Sequence, residues 1–351
     1  MPMRYLSFIL VVIFAPLLSA QELDDGVALR KLERFELYLD RKPFHSTAFD
    51  QLIALASESG GAAALAERYE ARLEEQAAEG GKQAATRVVL ARIYERMGQP
   101  GKALALLEEL SGPESAADAE LLALTAEVRS SSGDSTRALE DLARAIEVAG
   151  DDVELLERIH RIRGQAALAA GLTEEARAAF EDLAALDPES FALRSAVADE
   201  LEAGGLLIAA FENYGVAVEL AGQDVSRRCR ALAARGRLAE RLDRKAEALE
   251  LYEEAVLEMR RGNWLRRELF ARVLALHERT GSLEELVAHE RAAIDADPGD
   301  LDRREQLARA HLALRDLALA LEVLAPAAEL FPSDLALGRP VSYTHLRAHE
   351  T

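Results

Sequence analysis

The chain has 351 residues, half of them apolar, only 5% aromatic and 30% charged, a balance rich in Ala, Leu, Glu and Arg that indicates an all-helical protein rather than a sheet. Its 42 basic and 62 acidic side chains leave a net charge of −20, which repels nucleic-acid phosphates and anionic lipid surfaces, so nucleic-acid binding by the whole surface is excluded. The length suits two or three globular domains or one elongated array, because a repeat protein escapes the size limit on a single core.

In chain order, the first segment is a different polymer. Arg4 precedes an apolar run from Tyr5 to Leu18, interrupted by Pro16 and closing on Ser19 and Ala20. That layout predicts a secretory signal peptide over residues 1–20, with Gln21 the mature N-terminus and the protein exported to the periplasm or secreted. An uncleaved anchor is the competing reading, although the apolar run is short for a spanning helix. No cysteine lies near the junction to carry a lipid. Residues 21–45 read as an N-terminal cap: an amphipathic helix from Val27 to Leu39 followed by an extended link, Arg41 to His45.

From residue 46 a period emerges. Ala103, Ala138, Ala176, Ala210, Ala248, Leu286 and Ala320 recur at separations of 35, 38, 34, 38, 38 and 34, and Leu65 lies 38 before Ala103. The four extra residues of a 38-residue unit amount to about one helical turn, so the buried face keeps its direction. Turns within the pairs carry Gly60, Gly98, Gly133, Gly171, Gly205 and Gly281, where a left-handed helix end favours a residue without Cβ. Pro188, Pro298 and Pro332 close three units.

These features, carried by "LARIYERMGQPGKALALLEEL" (Leu90 to Leu110), "GQAALAAGLTEEARAAFEDLAALDP" (Gly164 to Pro188), "LDRKAEALELYEEAV" (Leu242 to Val256) and "DADPGD" (Asp295 to Asp300), resemble the tetratricopeptide repeat family over residues 46–334. The resemblance implies an all-α, right-handed α-solenoid of about eight antiparallel helix pairs. Its first helices would line a concave groove that binds protein or peptide segments. The first helices lack the family's Trp, and its Tyr appears only as Tyr94, so a HEAT-like solenoid is the alternative for the N-terminal part. Groove positions carried over from the family fall on Arg92, Arg96, Arg158, Arg161, Arg237, Arg241, Arg279 and Arg309. Such a row would suit an acidic or C-terminal peptide, since guanidinium groups bond carboxylates in bidentate fashion. The competing reading pairs these cations with Asp199, Glu202, Glu240 and Glu278 of the same faces. The Lys/Asn arrangement with which some family members clamp a C-terminal carboxylate is absent.

Enzymatic motifs are missing from the sequence: it holds no phosphate-binding glycine loop, Cys/His ligand cluster or nucleophile elbow. Neither a cofactor nor a metal is expected, and the protein reads as non-catalytic. His277 and His311, 34 apart, occupy equivalent packing positions, while His45, His160 and His289 have no second ligand nearby in sequence. Cys229, the sole cysteine, reads as a small buried apolar residue.

Beyond Pro332, residues 335–340 begin a further repeat, and the composition changes abruptly at Val341. "VSYTHLRAHET" resembles the in-frame translation of a transposase-type sequencing adapter, so Val341 to Thr351, with the His345/His349 pair, is excluded from fold and function. The chain then reads as a fragment, and two functions follow: an exported scaffold, or the recruiting arm of a larger exported enzyme or envelope machine whose catalytic domain lies beyond residue 340.

Overall fold

The computed structural model describes residues 30–58, 60–110 and 118–330. The expected signal peptide, the start of a further repeat and the adapter-like tail lie outside the described residues. Every regular element among the described residues is helical. A first helix, α1, covers 30–39. Eight pairs follow: α2 (Ser46–Glu58) with α3 (Gly61–Ala78), α4 (Ala84–Arg96) with α5 (Pro100–Glu108), α6 (Ala119–Ser131) with α7 (Ser135–Ala149), and α8 (Val153–Ala169) with α9 (Thr173–Ala185). Then come α10 (Phe191–Ala203) with α11 (Leu207–Leu220), α12 (Val225–Arg241) with α13 (Lys245–Glu258), α14 (Trp264–Thr280) with α15 (Leu283–Ala296), and α16 (Leu301–Ala313) with α17 (Leu317–Leu330). The chain divides into two compact units, Met1–Leu183 and Ala184–Thr351, and each is an all-helical array of helix pairs.

The sequence period marks a physical position. From α5 to α17 each marker is the fourth residue of the second helix of its pair, and in α3 it is the fifth. All eight are buried, Leu65 the most exposed at 3%. Small side chains there let the two helices of a pair approach closely, and in two pairs the first helix contributes a glycine to the same end. A Cβ on Gly164 would stand 2.5 Å from Cζ of Phe180, and one on Gly236 would stand 2.4 Å from Cε1 of Tyr252. Each aromatic ring therefore fills the space that a side chain at the glycine would take. The sequence shows these as glycines inside helices; the approach of the ring explains why an unfavourable helix former is there.

Helix starts are set by side-chain caps. Each first helix from α6 onward has one: Asp118, Asp152, Ser190, Asp224, Asn263 and Asp300 accept from backbone N–H groups of the first turn at 2.9–3.2 Å. Between the helices of a pair, all six expected glycines are left-handed, with φ from 69° to 100°. The remaining two pairs place Asp243 (φ 58°) and Arg315 (φ 62°) at the equivalent point.

In the first unit, α1 packs Leu32 and Leu39 into a core with Phe49, Leu52, Leu65, Tyr69, Val89, Ile93 and Leu107. Its link to α2 differs from expectation. Rather than running extended, residues 40–45 form hydrogen-bonded turns, with Lys42 N–H donating to Tyr38 O at 3.0 Å and His45 N–H to Lys42 O at 3.2 Å. Cys229 is buried beside the Ala255 carbonyl, and burial pushes its thiol up to about 11. His277 and His311 are likewise buried, with burial holding both imidazoles below their ordinary range.

Candidate functional site

The first helices of each unit carry the arginine row. Capping fixes where each helix begins, and the helical repeat then places arginines one turn apart on a common side. What these guanidinium groups touch decides their chemistry.

In the first unit Arg92 is no groove cation. It is 8% exposed, donates from Nη1 to the Pro43 carbonyl at 2.7 Å, and lies 4.0 Å from the centre of the Phe49 ring. Burial, with a smaller contribution from Arg158, lowers its pKa to about 10. The turned α1–α2 link supplies the carbonyl, so Arg92 fastens that link to α4. One turn on, Arg96 pairs with Asp50 of α2 at 2.9 Å, and Arg158 of α8 pairs with Glu127 of α6 at 3.2 Å. Arg161 is half-buried and also has a partner.

In the second unit the pairs form a ladder. Arg241, in the last turn of α12, bonds Glu202 of α10 at 2.7 Å, and Arg279, in the last turn of α14, bonds Glu240 of α12 at 2.8 Å. Both pairs span 39 residues. Arg309 turns back to Glu305 of its own helix. The second helices add tyrosines to the carboxylates of the preceding helix: Tyr214 donates to Asp199, and Tyr252 to Glu240 at 2.5 Å. Burial raises both phenols far above their ordinary range, so both remain hydrogen-bond donors at neutral pH. Arg237 is the exception in this unit's row. It is half-buried, lies near both tyrosines, and has no carboxylate within ion-pair distance among the described residues.

The sequence presents a cationic stripe, and in the structure four of its eight arginines, Arg96, Arg158, Arg241 and Arg279, pair with acids of a neighbouring first helix. Local i, i+4 spacing does not give these pairings, because the partners stand a whole unit away, but Glu202 and Glu240 are two of the acids that the competing sequence reading assigns to the row.

A second polar cluster was not foreseen. His289, without a nearby ligand in sequence, stands 3.3 Å from Glu253 of α13, and Glu290 lies beside them, with candidate ligand atoms within 4.8 Å of one another. Arg303 bonds both carboxylates, at 3.1 Å to Glu290. A guanidinium thus already supplies the positive charge that a metal would bring. Beside it, Arg266 bonds Asp300 in bidentate fashion and Asp302 at 2.6 Å, and the guanidinium groups of Arg266 and Arg303 stand 5.2 and 5.8 Å from the centre of the Phe270 ring. The single signal in sequence is that Arg266 and Asp300 are one 34-residue period apart.

Among the described residues no helix is long and apolar enough to cross a membrane. No family model and no curated protein sequence matches the chain. Solved structures give likenesses at low identity. A tetratricopeptide repeat protein from Parabacteroides merdae is 15% identical, with 74% of this chain and 97% of that one covered and a TM-score of 0.38. A signal transduction ATPase with numerous domains and a tetratricopeptide repeat sensor, from Pyrococcus horikoshii, is 14% identical over 90% of this chain and 55% of that one, with a TM-score of 0.41. The APC/C hetero-tetramer Cut9–Hcn1 gives 12% identity, 80% and 52% coverage, and a TM-score of 0.38. The chain thus spans about half the length of the last two proteins. The helix-pair fold rests on the packing described above, not on these scores.

Proposed function

We propose that the protein is an exported, non-catalytic scaffold that binds carboxylate-bearing protein segments on the first-helix face of its second unit. Arg237 carries this reading. It is a half-buried cation with no carboxylate in ion-pair distance among the described residues, near two tyrosines whose hydroxyls are already committed to Asp199 and Glu240. A partner carboxylate arriving there finds an uncompensated guanidinium in a partly desolvated place, where a charge-assisted bond is stronger than at an exposed one. The neighbouring rungs, Arg241–Glu202 and Arg279–Glu240, link successive first helices and leave about half of each arginine side chain exposed for further contacts. Export rests on the composition of residues 1–20, and it directs the search toward periplasmic or secreted partners.

Anisotropy of labelled peptides ending in an acidic segment, titrated with wild type and with Arg237→Glu, tests the assignment. Binding to wild type that weakens at least about tenfold in the variant, and falls with salt, is the expected result. Equal affinity of the two proteins at low salt would remove Arg237 from the site.

A further inference from the structure

The stretch "EMRRGNWLRRELFAR", Glu258 to Arg272, holds five arginines against two glutamates in a chain of net charge −20, and it contains the protein's lone tryptophan. In the structure it forms the turn that joins α13 to α14 together with the first turns of α14. Trp264 is 67% exposed and Leu257, at the end of α13, is 70% exposed.

The turn that carries this indole is tied down. Arg261 donates to the Gly299 carbonyl at 2.7 Å and pairs with Asp297; the Gly262 N–H donates to Asp302 at 2.9 Å; the Asn263 side chain accepts from Leu265 N–H at 2.9 Å. Beneath it, Arg266 is locked to Asp300 and Asp302. Holding a large aromatic ring in water on a fixed turn gives nothing to the fold. It does lower the ordering cost of a binding surface, and exposed Trp and Arg are the side chains that most often anchor interfaces.

The local charge is equally specific. Every acid around the turn is committed: Glu258 to Arg228, Asp297 to Arg261, Asp300 and Asp302 to Arg266, and Glu268 to Arg272. Arg260 and Arg267 have no carboxylate within ion-pair distance among the described residues; Arg267 only reaches the Gly262 carbonyl at 3.5 Å. Arg267 follows Trp264 by three residues on α14 and so shares its side of the helix, while Arg260 precedes it in the turn.

We infer that Trp264, Arg260 and Arg267 form a second docking surface, separate from the Arg237 face, whose partner is an acidic protein segment with an aliphatic side chain that packs on the indole. An anionic membrane would meet the same three residues. It is disfavoured because a lipid plane also brings the protein's excess acids close, whereas a peptide senses only charges within a Debye length of about 8 Å at physiological salt.

Because Trp264 is the only tryptophan, its emission in the full chain reports this surface directly. The probe is a synthetic peptide of alternating Glu and Leu, with a Gln/Leu peptide and phosphatidylglycerol vesicles as the other arms. The Glu/Leu peptide is expected to blue-shift the emission, the Gln/Leu peptide to bind about tenfold more weakly, and Arg260→Glu with Arg267→Glu to abolish the shift while Arg237→Glu leaves it intact. Anisotropy of the labelled Glu/Leu peptide is expected to weaken about thirtyfold in Trp264→Ala. Circular dichroism checks the fold of each variant, and Arg260→Gln with Arg267→Gln repeats the test without charge reversal. The proposal is overturned by no shift with the Glu/Leu peptide, by a shift that survives charge removal or is lost in Arg237→Glu, or by a shift with vesicles alone.

Discussion

The two units build the same helix pairs with different interiors. Around α1–α6 of the first unit, a continuous set of Leu, Ile, Val and aromatic side chains joins successive pairs, and charges such as Arg68–Glu36 and Arg72–Asp40 sit at its rim. Around α13–α16 of the second unit an ionic network is added to buried apolar side chains such as Leu269, Phe270 and Leu276: the Arg266 and Arg303 side chains are 4% and 5% exposed and hold Asp300, Asp302, Glu253 and Glu290. Burial alone would lower the Arg266 pKa, and the bonds to Asp300 and Asp302 outweigh it. Apolar contact tolerates sliding, whereas this network fixes a register, because each guanidinium bonds carboxylates on more than one side at once. The difference teaches that a solenoid can supplement hydrophobic area between pairs with directed charge pairing, at the cost of a joint that is sensitive to the removal of one member.

The largest effect expected follows from that asymmetry. Arg266→Met takes the bidentate guanidinium from buried Asp300 and also uncouples half-buried Asp302, and it should destabilise the second unit by about 3–5 kcal/mol, whereas Arg96→Met in the first unit, whose partner Asp50 is exposed, should cost about 1 kcal/mol or less. Urea unfolding, followed by hydrogen exchange to locate the loss, measures both. Similar costs for the two substitutions would dissolve the contrast. One feature should instead be common to both units: Gly164→Ala and Gly236→Ala each push a Cβ into an aromatic ring and should each cost about 1–3 kcal/mol. A large difference between these two would show that the glycine–ring contact is also specific to one unit.

Much of the pair architecture was legible because it depends on residue type at a fixed period. Leu65 to Ala320 mark the buried contact, and six glycines mark the left-handed turns. Asp243 and Arg315 were not legible as turn residues, since their side chains suggest no such conformation. Packing imposes it: Arg244 N–H reaches the Ala239 carbonyl and Asp316 N–H the His311 carbonyl, both at 2.8 Å, as Gln99 N–H reaches Tyr94 beside Gly98. The arginine row was legible as a row and misleading as a set of free charges. Arg92 needed the turn of residues 40–45 to be known, whereas Glu202 and Glu240, the partners of Arg241 and Arg279, stand among the acids that the sequence offers, and only the pairing across 39 residues needed the structure. Trp264 was visible as a residue, but its exposure and the bonds that hold its turn exist only in three dimensions.

Those non-glycine turns set the second unit apart in another way, since all four turns of the first unit use glycine. A β-carbon in the left-handed region costs about 1–2 kcal/mol, less for Asp, whose side chain tolerates it. Arg315→Gly should therefore stabilise by about 1 kcal/mol and Asp243→Gly by less, after the added freedom of the unfolded chain is deducted. Thermal unfolding of each variant decides it. A loss of stability in Arg315→Gly would mean that the side chain, not the backbone, holds that turn.

The smallest effect separates the units by pH. His289 gains a hydrogen bond to Glu253, which raises its pKa above 6.5 and outweighs the opposing effects of burial and Arg303. A group whose folded pKa is raised contributes stability that is fully present below its unfolded pKa and lost as pH rises through the folded value. The α13–α16 joint should therefore tighten as pH falls from about 8 to about 6. Glu253 acts in the opposite direction only at lower pH: burial would raise its pKa, the bonds to His289 and Arg303 outweigh that, and its lowered pKa makes its contribution disappear below 4.5. His289 is half exposed, so its contribution is about 1 kcal/mol at most. Hydrogen exchange of α15 and α16 amides, corrected for intrinsic rates, should show more protection at pH 6 than at pH 8 in wild type and a flatter profile in His289→Gln. The apolar α2–α5 pairs supply the internal control: because no comparable imidazole–carboxylate pair joins them among the described residues, their corrected protection should hold level across the same interval.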